Sequence, residues 1–314
     1  MKKVAVIEGG YSKEKAISIK SAKTVFDNLD RTKFFPTRVL IDEKEWIAYD
    51  DEGRYPIDKN DFSFIKKGQK ETFEHAFIVI HGTPGEDGKL QGYLDMLGIP
   101  YNTSSAAITA LTFQKFHCNQ FLKTFGIKAP EAVLIKPEDK INEKKIIEKV
   151  KLPCFVKPTD GGSSFGITKV KKESEFFPAI KKAFNHGNEV IVEENIDGRE
   201  VTCGVYMDNG EIKSLPITEI ISENEYFDYD AKYHGKSKEI TPADLDEEMT
   251  NKIKALTKEI YGILAMKGIV RMDYIINKDE VPFLIEINSV PGMSKESIIP
   301  QMAKVDNIEL SLLF

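Results

Sequence analysis

The sequence predicts an α/β chain: a parallel α/β unit at the N-terminus, followed by α+β modules of antiparallel strands and helices. Three observations carry that prediction. Val4–Ile7 is a short apolar run ending in Glu8-Gly9-Gly10, and Ser12–Asn28 then has helical spacing, the order that opens a parallel unit. From Cys154 to Glu193, strand-like and helical stretches alternate between tight turns. Gly268–Ser297 (GIVRMDYIINKDEVPFLIEINSVPGMSKES) holds two apolar runs, Ile269–Ile276 and Val281–Ile287, around the polar link Asn277-Lys278-Asp279-Glu280, which reads as a β-hairpin.

Length and composition bound the answer. A chain of 314 residues suits two or three domains, and 41% hydrophobic with 30% charged residues is ordinary for a soluble globular protein. A formal net charge of −6 argues against a sequence-independent nucleic-acid binder, which needs a basic footprint. Cys118, Cys154 and Cys203 are scattered and match no metal-ligand spacing, so they read as reduced, buried thiols of a cytosolic protein. Lys2-Lys3 precede too short an apolar run for a signal peptide, and no run approaches the ~20 apolar residues of a membrane span. The expected location is the cytoplasm.

Taken in order, Val4–Ile7 is the first strand. The helix over Ser12–Asn28 turns Ala16, Ile19, Ala22 (or Lys23) and Phe26 inward. Thr37–Ile41 and the fully apolar Ala76–Ile80 are further strands of a parallel sheet, with His81-Gly82 at a carboxyl end, where such sheets place ligands. A dinucleotide fold fails on detail, because Gly9-Gly10 is not G-x-G-x-x-G and only Asp42 matches. Trp46–Phe73 reads as polar and irregular, a small hairpin and surface loops. Gly82–Asn102 gives turns and then a helix from about Lys89 to Leu97, and the extended Ile99–Tyr101 closes the first domain.

Ala106–Phe125 is helical throughout, with Lys115 inside it. Lys128–Ile135 is a strand, Asn142–Val150 a helix, and Cys154–Val156 a strand. Gly166–Val170, Glu173–Ala183 and Glu189–Glu193 read as strand, helix and strand. The strands Glu200–Met207 and Ile212–Ile217 flank the turn Asp208-Asn209-Gly210. Ser222–Glu239 is a polar, aromatic-rich loop, and a loop of that length in a compact domain is usually functional. Leu245–Met266 is a long helix, and the hairpin follows. The divisions expected are 1–103, 104–194 and 195–314.

Strand alternation puts Arg271 and Asp273 on one face, and Glu286 and Asn288 on one face. If the loop is Lys278–Val281, Asp273 lies opposite Glu286 and Arg271 opposite Asn288, with roughly 5 Å between paired Cβ atoms. Two carboxylates and a carboxamide oxygen on one surface suit a hard divalent cation such as Mg²⁺ on a nucleotide's phosphates, though a charged solvent face has the same pattern. The Pro291-Gly292 turn that follows brings backbone N–H groups to the same place. Asp160–Gly166 is a glycine- and serine-rich loop that could cradle phosphates or be a plain turn; it is not a Walker A loop, because Lys157 precedes the glycines. Lys157 ends an apolar strand and so needs an anion to meet. Glu193-Glu194-Asn195-Ile196 closes a strand with Glu200 just beyond, a place that could read a nucleoside or be a charged loop.

The segments VKPTDGGSSFG, VEENIDGREVT, RMDY, LIEINSVPGMS, EGGYSKEKAIS and HGTPGEDGKLQG occur in the order found in D-alanine–D-alanine ligases. The chain resembles these ATP-grasp enzymes of peptidoglycan precursor synthesis from Val4 to about Ala303. The resemblance implies an ATP-grasp fold with an N-terminal parallel α/β domain, a central α+β domain and a C-terminal α+β domain. It implies ATP-dependent joining of two D-alanines through an acyl phosphate, in a cytoplasmic homodimer that binds no nucleic acid or membrane. Lys115, Lys157, Ser163 and Ser164 would contact ATP phosphates, Glu193 with the backbone at Glu194 and Ile196 the adenine, and Glu200 the ribose. Asp273, Glu286 and Asn288 would hold two Mg²⁺ (or Mn²⁺) ions. Glu14 with His81 nearby would take the first ammonium, Lys232 and Ser297 the second carboxylate, and Arg271 with the Gly292 N–H the tetrahedral oxyanion. Glu14, Ser163 and Tyr233 would form a network closing the loop at about 218–240.

Some positions depart from the family's commonest pattern. Phe113-Gln114-Lys115 stands where many relatives have Met-Asp-Lys, Ser289 follows Asn288 in place of Thr, and Ser294 replaces a usual Thr. The rivals within the same fold join D-alanine to D-lactate or D-serine; relatives that form the D-lactate ester often carry Phe at the position of Tyr233, so the tyrosine favours a dipeptide product.

Overall fold

The apolar runs at the start of the chain become the middle of a sheet. In the computed structural model, which describes residues 1–159, 166–222 and 237–314, β1 (Lys2–Gly9) is followed by α1 (Lys15–Asn28), β2 (Phe34–Ile41), β3 (Trp46–Asp50), β4 (Gly53–Pro56), β5 (Phe64–Lys66), β6 (Gln69–Glu71) and β7 (His75–Ile78). The strand order is β4-β3-β2-β1-β7. Only β2, β1 and β7 are parallel; β3 and β4 add on antiparallel. The expected all-parallel sheet is thus mixed, because the stretch from Trp46 extends it as a hairpin. That stretch is also less polar inside than its composition suggests. Phe62, Phe64 and Phe73 are buried with Ile7, Ile41 and Ile78 in one core.

α1 corrects a second expectation. Ala16 is exposed, and the buried positions are Ser18, Ser21, Ala22, Thr24 and Val25. The inward face is rich in hydroxyls because it meets backbone groups: Ser18 Oγ accepts from Gly9 N–H at 2.9 Å and donates to the Val79 carbonyl at 2.7 Å. Asp42, the one hint of a dinucleotide site, is a turn former that accepts from Lys44 and Glu45 N–H and pairs with Lys15.

After α2 (Lys89–Met96), the helical stretch expected from Ala106 is broken into α3 (Ala106–Phe113) and α4 (Lys115–Lys123). Gln114, with φ −91° and ψ 85°, makes the break, and Lys115 is the first residue of α4. The next module has β8 (Ala132–Ile135), α5 (Glu143–Val150), β9 (Cys154–Pro158), β10 (Thr168–Val170), α6 (Phe176–Phe184) and β11 (Val190–Glu194). Its antiparallel sheet runs β10-β9-β11-β8 over its own core. Then come β12 (Gly198–Asp208), β13 (Glu211–Ser222), β14 (Ser237–Ile240), α7 (Glu247–Ile263), β15 (Val270–Asn277), β16 (Pro282–Asn288), α8 (Ile298–Val305) and α9 (Leu310–Leu313), with the sheet ordered β14-β13-β12-β15-β16. Of the stretch expected as a loop, 218–222 belong to β13 and 237–240 pair with it as an edge strand, and the rest lies outside the described residues.

The first and last sheets share a core. Val4, Val6 and Phe77 are buried with Val25 of α1 and with Leu215, Met293, Ile299 and Met302 from the C-terminal module. A backbone joint reinforces that contact: Ser104 Oγ bonds the Lys267 N–H at 3.1 Å, and Tyr261 donates to the Gly268 carbonyl at 2.8 Å. Gly268 has φ +69°, and a Cβ there would lie 1.8 Å from the Asn102 carbonyl oxygen. Gly268→Ala therefore combines backbone strain with a backbone clash and should cost on the order of 3 kcal/mol or more, lowering Tm by several degrees. A thermal melt within a degree of the parent would contradict that account of the joint.

Candidate active site

The hairpin register decides where the acidic side chains point. Asp273 does lie opposite Glu286, and Arg271 opposite Asn288, but not by the loop expected. Asn277 N–H donates to the Val281 carbonyl at 3.0 Å and Val281 N–H to Asn277 Oδ1 at 2.9 Å, closing the turn over Lys278–Glu280. The pairing Tyr274↔Leu284 then steps to Asp273↔Glu286, leaving Ile285 as the extra residue of a β-bulge. Pro282 and Leu284 are buried before the bulge and Ile287 after it, so the slip moves Glu286 and Asn288 onto the face opposite the core. The bulge is held from outside the hairpin: Leu284 N–H donates to the Lys128 carbonyl at 2.8 Å, and Asn119 Nδ2 to the Ile285 carbonyl at 3.1 Å.

On that face the charges are interlocked. Arg271 bonds Asp273 through Nε and a terminal nitrogen, both at 3.0 Å; Asp273 also accepts from Thr202 Oγ1 at 2.5 Å and Asn288 Nδ2 at 3.0 Å. Burial would strip Arg271 of its proton, yet Asp273, with Glu286 and Glu239 behind it, more than offsets that and raises its pKa. Lys115 comes from the start of α4 to meet Glu286 at 3.2 Å. Burial opposes its charge too, and Glu286 followed by Glu86 and Glu193 outweighs burial, so its pKa is raised. Lys115 and Asn119 are one turn apart on α4, which places one on Glu286 and the other on the bulge beneath it.

A cavity of about 360 Å³ opens beside this face, within the range of ~300–1,000 Å³ usual for small-molecule sites. Glu14, at the N-terminal boundary of α1, lines it with His81, Lys115, Arg271, Glu286, Asn288, Gly292 and Ser297. Ser297 caps the start of α8 and shares a hydrogen bond with Ser294 at 2.9 Å. A Cβ on Gly292 would sit 2.8 Å from Ser297 Oγ, so a side chain there would have to push that hydroxyl aside. His81 is buried, and both ring nitrogens are engaged within the protein: Nδ1 lies 2.9 Å from the Val290 carbonyl and Nε2 3.4 Å from Ser21 Oγ. Burial lowers its pKa, with the nearby Glu14 acting the other way.

Apart from Lys115, the described residues expected on the nucleotide side lie outside that cavity. Lys157 on β9 is buried and does meet an anion, but the anion is Glu193 of β11 in a close ion pair. Glu194 N–H is bonded to the Glu131 carbonyl at 2.8 Å, which leaves only its carbonyl to serve a base's amino group. Ile196 is half-buried in the following turn. Glu200 is on β12 two residues before Thr202, and therefore on the face that carries Asp273. Ser163, Ser164, Lys232 and Tyr233 lie outside the described residues.

The donor set fits a hard cation. Asp273 and Glu286 supply carboxylate oxygens, and the Asn288 carboxamide, turned over, presents an oxygen to the same point. Among the described residues no three His, Cys, Asp or Glu side chains form a metal-binding group, and the third oxygen that this face offers beside the two carboxylates is that of an amide. Sequence reasoning missed Thr202, Asn119, Ser21 and Glu86. Glu86 had a signal, since it stands in the GTPGEDG turn that was singled out without a role. It is half-buried on the cavity wall and accepts the Gly82 N–H at 2.6 Å.

Comparison with known proteins agrees along the chain. Residues 3–104 match the family model described as the D-ala D-ala ligase N-terminus, and residues 121–314 match the D-ala D-ala ligase C-terminus. The chain is 47% identical to the D-alanine–D-alanine ligase of Flavobacterium johnsoniae, covering 100% of this chain and 97% of that one. It is similar to the solved structure of the VanG D-Ala:D-Ser ligase from Enterococcus faecalis, with TM-score 0.87, 32% identity, and 99% and 97% coverage. It is also similar to the D-alanine–D-alanine ligase from Bacillus anthracis complexed with ATP, with TM-score 0.80, 27% identity, and 100% and 94% coverage.

Burial, with the Glu14 carboxylate beside it, pushes Glu86 from its ordinary 4.5 up to about 7, while the Gly82 N–H and Lys115 pull the other way. Such a group binds its proton more tightly folded than unfolded. Its contribution to stability is complete below the unfolded value and is lost as pH rises through about 7. Glu86→Gln keeps an oxygen for Gly82 and has no charge to bury. Its stability relative to the parent should therefore grow across that window, by on the order of 2–3 kcal/mol. Denaturant melts with a pH-independent difference would contradict the burial argument.

Proposed function

The chain belongs to the D-alanine–D-alanine ligase family, and on that footing we propose how its own residues carry the reaction. It is an ATP-dependent ligase of the ATP-grasp fold that joins two D-alanines into D-alanyl-D-alanine through an acyl phosphate, for the peptidoglycan of the cell wall. What supports the residue assignment is one arrangement: Arg271, Asp273, Glu286 and Asn288 share a face, Lys115 meets it, and the cavity with Glu14 and Gly292 adjoins it.

In this reading Glu14 takes the ammonium of the first D-alanine, leaving its carboxylate beside Arg271. That carboxylate attacks the γ-phosphorus of ATP; the new C–O–P link forms and ADP departs. Phosphoryl transfer is mostly positioning and charge neutralisation, which lysines and bound cations provide without a covalent nucleophile. Lys115 and Lys157 supply charge at the phosphates; an ammonium has three donors, so Lys157 can keep Glu193 and still reach a phosphate oxygen. Glu193, the Glu194 carbonyl and the Ile196 backbone read the adenine, Glu200 the ribose, and Ser163 and Ser164 the phosphates. Asp273, Glu286 and Asn288 would hold two Mg²⁺ or Mn²⁺ ions, which when bound offset the charge of the triphosphate.

The second D-alanine is held through its carboxylate by Lys232 and Ser297. Its amine, deprotonated with the help of the Glu14–Ser163–Tyr233 network, attacks the acyl carbon, and inorganic phosphate leaves after a tetrahedral oxyanion has formed. Arg271 and the Gly292 N–H stabilise that oxyanion. Closure over the site by the residues that join β13 to β14 would exclude the water that hydrolyses the acyl phosphate. His81 supports the first-substrate site from behind, both ring nitrogens being bonded to protein.

We read 1–103, 104–194 and 195–314 as three domains, supported by their separate sheets. A cytoplasmic location fits the use of ATP and the three free, buried cysteines. A homodimer is carried over from the family alone. None of the described helices is long and apolar enough to cross a membrane.

Phosphate release from ATP should require D-alanine, with little from L-alanine and less from D-serine or D-lactate added to D-alanine. Glu286→Gln should keep the parent's thermal melt, weaken Mn²⁺ binding and reduce turnover by about 10³-fold or more. Near-parental turnover in that variant would remove the assignment of this face.

A further inference from the structure

The turn that carries Gly292 is clasped by a ring of hydrogen bonds from the opposite end of the sequence. Met293 N–H donates to Ser21 Oγ at 3.1 Å; Ser21 Oγ is 3.4 Å from His81 Nε2; His81 Nδ1 is 2.9 Å from the Val290 carbonyl. A carbonyl can only accept, so Nδ1 carries the imidazole proton and Nε2 is left to accept from the Ser21 hydroxyl. The donations then run Met293 N–H to Ser21 to His81, and His81 to Val290, closing around Pro291-Gly292. All four residues are buried: Ser21 is 0%, His81 6%, Val290 3% and Met293 3% exposed.

Each end of the ring is itself fixed. Ser21 sits on α1 three residues after Ser18, which binds both the Gly9 N–H and the Val79 carbonyl. The His81 carbonyl accepts from Ser12 Oγ at 2.8 Å. On the other side, Ser297 packs against Gly292, its Oγ 2.8 Å from where a Cβ would stand. Proline narrows the remaining freedom, because its ring fixes φ at residue 291. A dipeptide held at both flanks, with one torsion locked and a wall at its back, has little room to reorient its amide.

We propose that Ser21 and His81 are positioning residues for catalysis, clasping residues 290–293 so that the Gly292 N–H is aimed at the developing oxyanion. The proposal rests on the reading that this N–H stabilises that oxyanion. It assigns a role in the reaction to Ser21, which touches neither substrate, and it explains why both nitrogens of His81 are spent inside the protein. A small misplacement of such a donor is costly in rate, because it is realised in the transition state more than in the ground state.

The test compares chemistry with binding in the full chain. Ser21→Ala should lower kcat about 10–100-fold while KM for ATP and for each D-alanine stays within about threefold. With ATP present, affinity for a dipeptide phosphinate that mimics the tetrahedral carbon should fall by the same factor as kcat. Ser21→Thr, which keeps the hydroxyl, and His81→Gln, which keeps an N–H donor and an oxygen, should each recover part of the loss. Those two variants carry the comparison if Ser21→Ala melts early. Parental kcat and phosphinate affinity in Ser21→Ala, or a loss confined to KM and thermal stability, would overturn the proposal. Arg271→Lys separates the two failures: if it loses phosphinate affinity while Ser21→Ala does not, only the clasp is wrong. If neither loses affinity, the oxyanion reading itself is wrong.

Discussion

One extra residue in one strand governs the chemistry of this molecule. Along β16 the side chains facing the core are Pro282, Leu284 and Ile287, a sequence that skips a step at Ile285. Without that step strict alternation would put Glu286 on the side of Leu284, inside an apolar core, where an ionised carboxylate is costly. With it, Glu286 and Asn288 join Arg271, Asp273, Thr202 and Glu200 on one face. Bulges recur beside active sites because they re-aim side chains in this way. Here the bulge is supported by neighbours rather than by the hairpin: Lys128 and Asn119 bond the backbone that the bulge exposes.

The charges on that face explain one another. Four acidic or basic side chains with little solvent around them would be unfavourable singly, yet each has a bonded partner of opposite sign. Arg271 holds Asp273, and Lys115 holds Glu286. The break at Gln114 is what allows the second pairing, since it starts α4 at Lys115 and aims that helix across the hairpin. Glu86 is the exception: burial, with Glu14 beside it, raises its pKa further than the Gly82 N–H and Lys115 lower it. The N-terminal sheet reaches the same cavity because its core is continuous with that of the C-terminal module, through α1 and α8.

Much of this was legible in the sequence where a physical period was strong. The strands around Val4–Ile7, Ala76–Ile80, Cys154–Val156 and Gly268–Ser297 followed from apolar runs and turns, and the face shared by Asp273, Glu286 and Asn288 from alternation. The register came out right for a reason that was wrong, because a shorter turn and a bulge cancel. Periodicity held only in part on α1, whose inward face mixes Ala22 and Val25 with Ser18, Ser21 and Thr24, hydroxyls that an apolar count passes over. It failed at Gln114, where neither glycine nor proline marks the break. Trp46–Phe73 hid its core aromatics among charges and turns. The clasp of Ser21 and His81 could not be read at all, since its partners are about two hundred or more residues apart.

The central claim is that the bulged hairpin gathers Asp273, Glu286 and Asn288 around one cation-binding point next to Lys115 and Arg271. The most direct measurement is a crystal structure with Mn²⁺ and a non-hydrolysable ATP analogue, with manganese located by its anomalous scattering. The account predicts anomalous peaks within ligand distance, about 2.0–2.4 Å, of oxygens from all three side chains, with the Asn288 amide turned to present its oxygen. Manganese bound elsewhere, with Glu286 and Asn288 taking no part, would contradict it.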